Sequence, residues 1–173
     1  MEIFRGGDTP ARPGDAGTFV GAAHIKKLAN HDSGVPVVVY HVAFSDGGRT
    51  NWHVHSGPQW LLMLEGRVHV QKWGEAVQEI SGGDAVVIAP GEKHWHGAAP
   101  GSSGVHLAVN VNATTEWLEP VDDRDYHARV GHDVGTTKGT KDTKHPPILR
   151  DLCELCGSWN RFGRAPLQGS PMT

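Results

Sequence analysis

Apolar residues along this chain alternate with polar ones over short stretches, and glycine-rich punctuation cuts the stretches apart. The pattern predicts nine strands, over 18–23, 35–44, 49–55, 59–64, 67–73, 75–80, 85–88, 93–98 and 105–111. Ser45-Asp46-Gly47-Gly48, Ser81-Gly82-Gly83-Asp84 and Ala89-Pro90-Gly91-Glu92 are the turns between several of them, and Glu65-Gly66 reads as a tight hairpin. Short strands at nearly even spacing, with no long helical pattern among them, predict an all-β sandwich or closed barrel.

The last predicted strand carries unusual information. In Val105-His106-Leu107-Ala108-Val109-Asn110-Val111 the odd positions are aliphatic and the even ones are His, Ala and Asn. A strand sends these to opposite faces. Ordinarily the aliphatic face would be the core. In a closed barrel the polar face can instead line a cavity, leaving the aliphatic face for another layer or a second subunit.

The length of 173 residues fits one domain. Sixteen basic against nineteen acidic residues, with no basic stripe, argue against nucleic acid as a partner. The longest apolar run, 35–40, is too short for a membrane span, and no signal peptide is visible at the start. Two cysteines exclude a disulfide scaffold and fit a reducing, cytoplasmic setting. Three segments are expected: a Gly/Pro-rich lead-in over 1–17, a barrel over 18–130, and a flexible extension over 131–173. Only seven of the 43 residues in that tail are Leu, Ile, Val or Phe. Within it, Pro147 and Gly157 bracket a short helix predicted over 147–156. Cys153 and Cys156 on that helix have no second pair with which to build a zinc site, so they read as small apolar residues, and Lys138, Lys141 and Lys144 as a solvated tail.

Six of the twelve histidines fall between residues 53 and 106. His53 and His55 are two apart, so both rings leave one face of a strand, and His94 and His96 repeat the spacing. His106 lies on the polar face described above. Gln59 follows a Gly57-Pro58 kink that can turn its amide back toward the histidines. Such rings converge only if the sheet curves closed, and three imidazoles with one amide oxygen suit a first-row divalent metal with positions left open. His24, His31, His41, His69, His127, His132 and His145 read as surface or loop residues. Trp52, Trp60 and Trp95, interleaved with the histidines, are expected on the outer barrel face or at a dimer contact.

The spacing Gly47, His53-Val54-His55, Gln59, Gly66 resembles the first motif of the cupins, with Gln in place of the usual Glu. Gly83, Pro90-Gly91 and His94 resemble the second, with the proline one residue late and Ala98 where Asn is usual. The run Pro90-Gly91-Glu92-Lys93-His94-Trp95-His96-Gly97-Ala98-Ala99-Pro100, followed by Val105-His106-Leu107-Ala108, is similar to bacterial manganese-dependent cupin hydroxynitrile lyases and their uncharacterised relatives, over about residues 1–130. The resemblance implies a small jelly-roll barrel, a homodimer, and one divalent ion on His53, His55, Gln59 and His94. Mn²⁺ is favoured, with Fe²⁺, Ni²⁺, Co²⁺ and Zn²⁺ as alternatives. It places His96 and His106 beside the ligands and Tyr40, Val42 and Asn110 in the substrate pocket. Phe44, Leu61 and Met63 are expected to be core or pocket wall.

A metal held by neutral side chains keeps its full charge, which tilts the chemistry toward non-redox work. The expected function is a lyase splitting a small hydroxy or carbonyl compound, in its sharpest form a cyanohydrin. His106 is the expected general base, with a pKa near neutrality, and His96 its helper. A cupin dioxygenase or isomerase and a non-enzymatic metal-bearing binding module are the rival readings.

Overall fold

A computed structural model describes residues 1–131. The expected helix over 147–156, the Cys153/Cys156 pair and the tail lysines lie outside the described residues. Within them run β1 (Arg12–Pro13), β2 (Phe19–Val20), β3 (Ala23–Asp32), β4 (Pro36–Phe44), β5 (Arg49–Thr50), β6 (His53–His55), β7 (Gln59–Lys72), β8 (Gln78–Ser81), β9 (Ala85–Ile88), β10 (His94–Ala98), β11 (Gly104–Val111), β12 (Thr115–Trp117) and the single helical turn α1 (Asp123–Tyr126). All of the strand pairings are antiparallel. One face is β1-β3-β4-β11-β7-β9. The other is β2-β5-β10-β7-β8, with β6 and β12 continuing from β10.

β7 belongs to both faces, which corrects the expected hairpin at Glu65-Gly66. Its residues 59–66 pair with β11, and residues 68–72 pair with β10. Gly66 has a φ of 71°, and a Cβ there would lie 2.0 Å from the Ser103 carbonyl oxygen. Glycine therefore lets the strand bend from one face to the other without reversing. Three other expectations also change. The strand over 23–32 went unpredicted because a register shift between Lys27 and Ala29 breaks its alternation. The run over 49–55 divides into β5 and β6, because Asn51 turns aside to donate to the carbonyls of Gly17 and Leu118. β12 and α1 are too short to leave a periodic signal.

Two apolar clusters hold the fold. The larger contains Val42, Phe44, Leu61, Met63, Val68, Val70, Ile80 and Ile88. The smaller packs Trp52 and Trp95 against Val77, Val121 and Tyr126. These tryptophans are thus covered by the chain's own 118–130 segment and are not free to form a dimer contact, while Trp60 is exposed. Arg49 fastens that segment. It is buried, donates to the Val121 carbonyl through Nε and Nη2, and its guanidinium lies 4.5 Å from the centre of the Tyr126 ring. Gly97 permits the close approach, since a Cβ there would meet that of Arg49 at 2.4 Å. His69 is buried on β7 with Nε2 3.4 Å from Glu79, so it is not the surface histidine expected.

In β11 the buried positions are Gly104, His106, Ala108 and Asn110, and the half-buried ones are Val105, Leu107, Val109 and Val111. The polar face points inward, inverting the usual arrangement.

Candidate metal centre and cavity

β6 and β10 lie side by side with His53 opposite His94, which brings the two i, i+2 histidine pairs together. The His53 and His94 rings are 4.1 Å apart between centres, and His55 is 5.0 Å from the first and 5.3 Å from the second. His53, His94 and His96 each place a ring nitrogen within 4.8 Å of the others. The His96 ring centre is 5.4 Å from that of His53 and 6.0 Å from that of His94, and Gln59 Oε1 lies 3.2 Å from His94 Nε2.

Hydrogen bonds set which nitrogen each ring presents. His53 Nδ1 donates to the Asn51 carbonyl at 2.9 Å, and His94 Nδ1 donates to the Glu92 carbonyl at 2.8 Å. A carbonyl only accepts, so in each neutral ring Nε2 is left with its lone pair. His55 Nδ1 lies 3.0 Å from Thr115 Oγ1, and its Nε2 is buried without a partner. Gln59 Nε2 donates to Asn110 Oδ1 at 2.9 Å, which aims Gln59 Oε1 at His94 Nε2, 3.2 Å away. Two acceptor lone pairs therefore face each other. Protonating His94 would relieve this, yet burial, the largest cause, lowers its pKa to about 4. A cation held by both donors would satisfy the two lone pairs at once, so the residues present fit a divalent ion.

Burial also lowers the pKa of His53, His55 and His96. At neutral pH all of these rings are uncharged and need lose no proton to act as ligands. His106 is fully buried, stacked on Phe44 at 5.6 Å and edge-on to His96 at 4.9 Å. Neither of its nitrogens has a hydrogen-bond partner, nor does His96 Nδ1. Burial, with a smaller contribution from His41, lowers the His106 pKa to about 3. The expected near-neutral value is thereby corrected, because no side chain bonds the ring to stabilise its charged form.

A cavity of about 370 Å³ opens beside the cluster. Its polar lining is His53, His55, Gln59, His96, Thr50, Thr115 and Asn110, and its apolar lining includes Phe19, Ile25, Tyr40, Val42 and Trp117. Tyr40, Val42 and Asn110, named from the resemblance, are among its lining residues. Phe44 and Leu61 do not line the cavity and belong to the larger core cluster, since their inward-pointing side chains are used up in packing between the faces. His106 lies in the same inward row as Ala108 and Asn110, but it is fully buried and, unlike those two, does not line the cavity. Sequence reasoning missed Phe19, Ile25, Thr115 and Trp117. Their elements are two or three residues long or irregular in register, and isolated aromatics at positions 19 and 117 were the one available signal.

A family model described as a cupin domain matches residues 40–111. An (R)-mandelonitrile lyase of Granulicella tundricola is 40% identical over 129 residues, spanning 73% of this chain and 98% of that protein. The crystal structure of a cupin-like protein from Thermotoga maritima superposes with a TM-score of 0.63 at 36% identity, covering 66% of this chain and 89% of that one. The polyketide cyclase RemF from Streptomyces resistomycificus shares the fold at a TM-score of 0.54 and 22% identity, over 73% of this chain and 90% of its own. With a jelly-roll of antiparallel strands, a three-histidine cluster and a match to nearly the whole of a 40%-identical relative, the chain belongs to the cupin family.

Proposed function

We propose that this protein is a metal-dependent lyase that splits a small cyanohydrin into an aldehyde and cyanide. The observation that carries the reading is the pair of lone pairs on Gln59 Oε1 and His94 Nε2, facing each other at 3.2 Å, with Gln59 also lining a substrate-sized cavity. The 40% identity to an (R)-mandelonitrile lyase supports the reaction class.

His53, His55, Gln59 and His94 would hold the ion, with Mn²⁺ favoured. When bound, it supplies Lewis acidity toward an oxygen of the substrate. His106 accepts the hydroxyl proton at one of its two unpartnered nitrogens, and being neutral it has a lone pair free at physiological pH. The carbonyl forms as the carbon–carbon bond breaks. The bonding electrons leave with cyanide, which takes the proton back and departs as hydrogen cyanide. His96, edge-on to His106 and lining the cavity, orients that ring. Nothing is oxidised or reduced. A donor set without a carboxylate also offers nothing extra to a higher oxidation state, which favours this reading over a cupin dioxygenase or isomerase.

A homodimer is part of the proposal. Its support is the outer face of β11, where Val105, Leu107, Val109 and Val111 are half-buried and the neighbouring Trp60 and Val87 are exposed. A cytoplasmic location is supported by the cysteine content. Among the described residues no helix is long and apolar enough to cross a membrane.

The test is cyanide release from mandelonitrile, expected to vanish with EDTA and return with Mn²⁺. Substrate-dependent oxygen uptake by iron-loaded protein without cyanide release would point to a dioxygenase. Ligand binding without turnover would point to a binding module.

A further inference from the structure

The cupin-domain match begins at residue 40 and ends at residue 111, yet Phe19, Ile25, Thr115 and Trp117 at the cavity lie outside it. Trp117 sits on β12 opposite His53, and its ring centre is 4.7 Å from that of His53 at a tilt of 38°. Phe19, on β2, stands 5.8 Å from Trp117 at 49°. These are the separations and tilts of favourable aromatic pairs.

Both rings are held. Phe19 packs on Phe44 at 6.3 Å, and Gly14 lies so close that a Cβ there would be 2.9 Å from the Phe19 ring. Trp117 is pinned through its backbone: the Leu118 amide donates to the Trp52 carbonyl at 2.8 Å, and the Trp52 amide donates to the Glu119 carbonyl at 3.0 Å. Further along, Arg49 grips Val121. Yet Trp117 remains 39% exposed, a fixed aromatic surface left partly bare in the cavity wall next to the histidines.

We infer that Phe19 and Trp117, contributed by the segments flanking the barrel motifs, are the specificity-determining wall of the site and receive a planar aryl group carried on the reacting carbon. The inference rests on the lyase reading for the reaction and on the wall's own geometry for the substrate class. A rigid aromatic wall loses no side-chain freedom on binding a flat ring and meets it across a whole face, whereas a methyl or ethyl group covers only part of it. With the hydroxyl at Gln59, His55 and His96, an aryl ring on the same carbon is directed at Trp117, which lines the same cavity beside His53.

The experiment compares wild type with Trp117→Ala and Trp117→Leu, the second keeping bulk while removing the ring. Two quantities are read. The first is the ratio of kcat/KM for mandelonitrile to that for acetone cyanohydrin. The second is the Kd of benzaldehyde for metal-free protein, measured by calorimetry. Both variants are expected to lower the ratio at least tenfold and to weaken benzaldehyde binding at least tenfold, with Trp117→Phe recovering most of each. An unchanged ratio and Kd in the folded Trp117→Leu protein overturn the inference. The two readings fail separately. Benzaldehyde binding lost in the variants of a protein that releases no cyanide keeps the aryl wall and removes the lyase. Cyanide release with benzaldehyde binding indifferent to residue 117 does the reverse.

Discussion

The Gln59 amide nitrogen donates to Asn110 Oδ1 at 2.9 Å, and this bond decides which atom of the amide meets His94. Asn110 is buried and presents its carbonyl oxygen to the Gln59 nitrogen, which leaves the Gln59 oxygen turned toward the histidines. Asn110 therefore positions a donor in addition to lining the cavity.

Replacing Asn110 by Leu removes that anchor and leaves the amide free to flip. Mn²⁺ affinity, measured by titrating metal-free protein, is expected to fall about 10–100-fold, the usual consequence of losing a residue that orients a ligand. Unchanged affinity would show that Gln59 does not need orienting.

His106→Ala should cut mandelonitrile turnover at least tenfold, the low end for a positioned base, because its pKa of about 3 makes it a weak one. Metal content by elemental analysis should stay at the wild-type level, since His106 is outside the proposed ligand set. Retained turnover in this variant removes His106 from the mechanism. Lost metal makes it a support of the ligand cluster.

Acid should destabilise the metal-free protein before it affects the unfolded chain's carboxylates. His94 and His106 titrate at about 4 and about 3 in the fold, against 6.5 for an unperturbed histidine. Between these values the unfolded chain binds more protons, so stability rises with pH across the window. It is complete above about 6.5 and is lost as pH falls toward 4 and then 3. At about 1.4 kcal/mol for each pH unit that separates the folded and unfolded values, the two rings together amount to roughly 8 kcal/mol when both are fully titrated. Thermal melts of chelator-treated protein from pH 4 to 8 should show Tm dropping steeply below pH 6. A flat profile would mean that these rings are solvated.

Much of the centre was legible because strand geometry is strict. Two histidines at i, i+2 must share a face, and His53/His55 and His94/His96 do so on adjacent strands. The inward polar face of β11 was legible for the same reason, although deciding that it pointed inward required a closed barrel. The bend at Gly66 was illegible, since a glycine at positive φ serves a hairpin or a continuous kinked strand equally well and only the Ser103 carbonyl distinguishes them. Phe19 and Trp117 were hidden in elements too short to show a period. The His106 pKa depends on which residues surround the ring in space, and local sequence does not carry that.

The wall that holds Trp117 has its own anchor, and its energy can be tested separately. Arg49→Ala removes two hydrogen bonds to the Val121 carbonyl and the cation face on Tyr126, leaving a buried acceptor unpaired. The expected loss is about 2–3 kcal/mol from those contacts. The ion pair to Asp123 adds little because that carboxylate is exposed. Tm should fall by roughly 5–10 °C in calorimetry. An unchanged Tm would show that the 118–130 segment is held by Trp52 and Trp95 alone.

Mn²⁺ added in steps to chelator-stripped protein, with cyanide release from mandelonitrile recorded at each step, tests whether one ion per chain on neutral donors drives cyanohydrin cleavage. The rate should climb linearly and break at one equivalent per chain, with His53→Ala showing no climb. A rate that is already full in the stripped protein, or that never appears at saturating Mn²⁺, would rule this out.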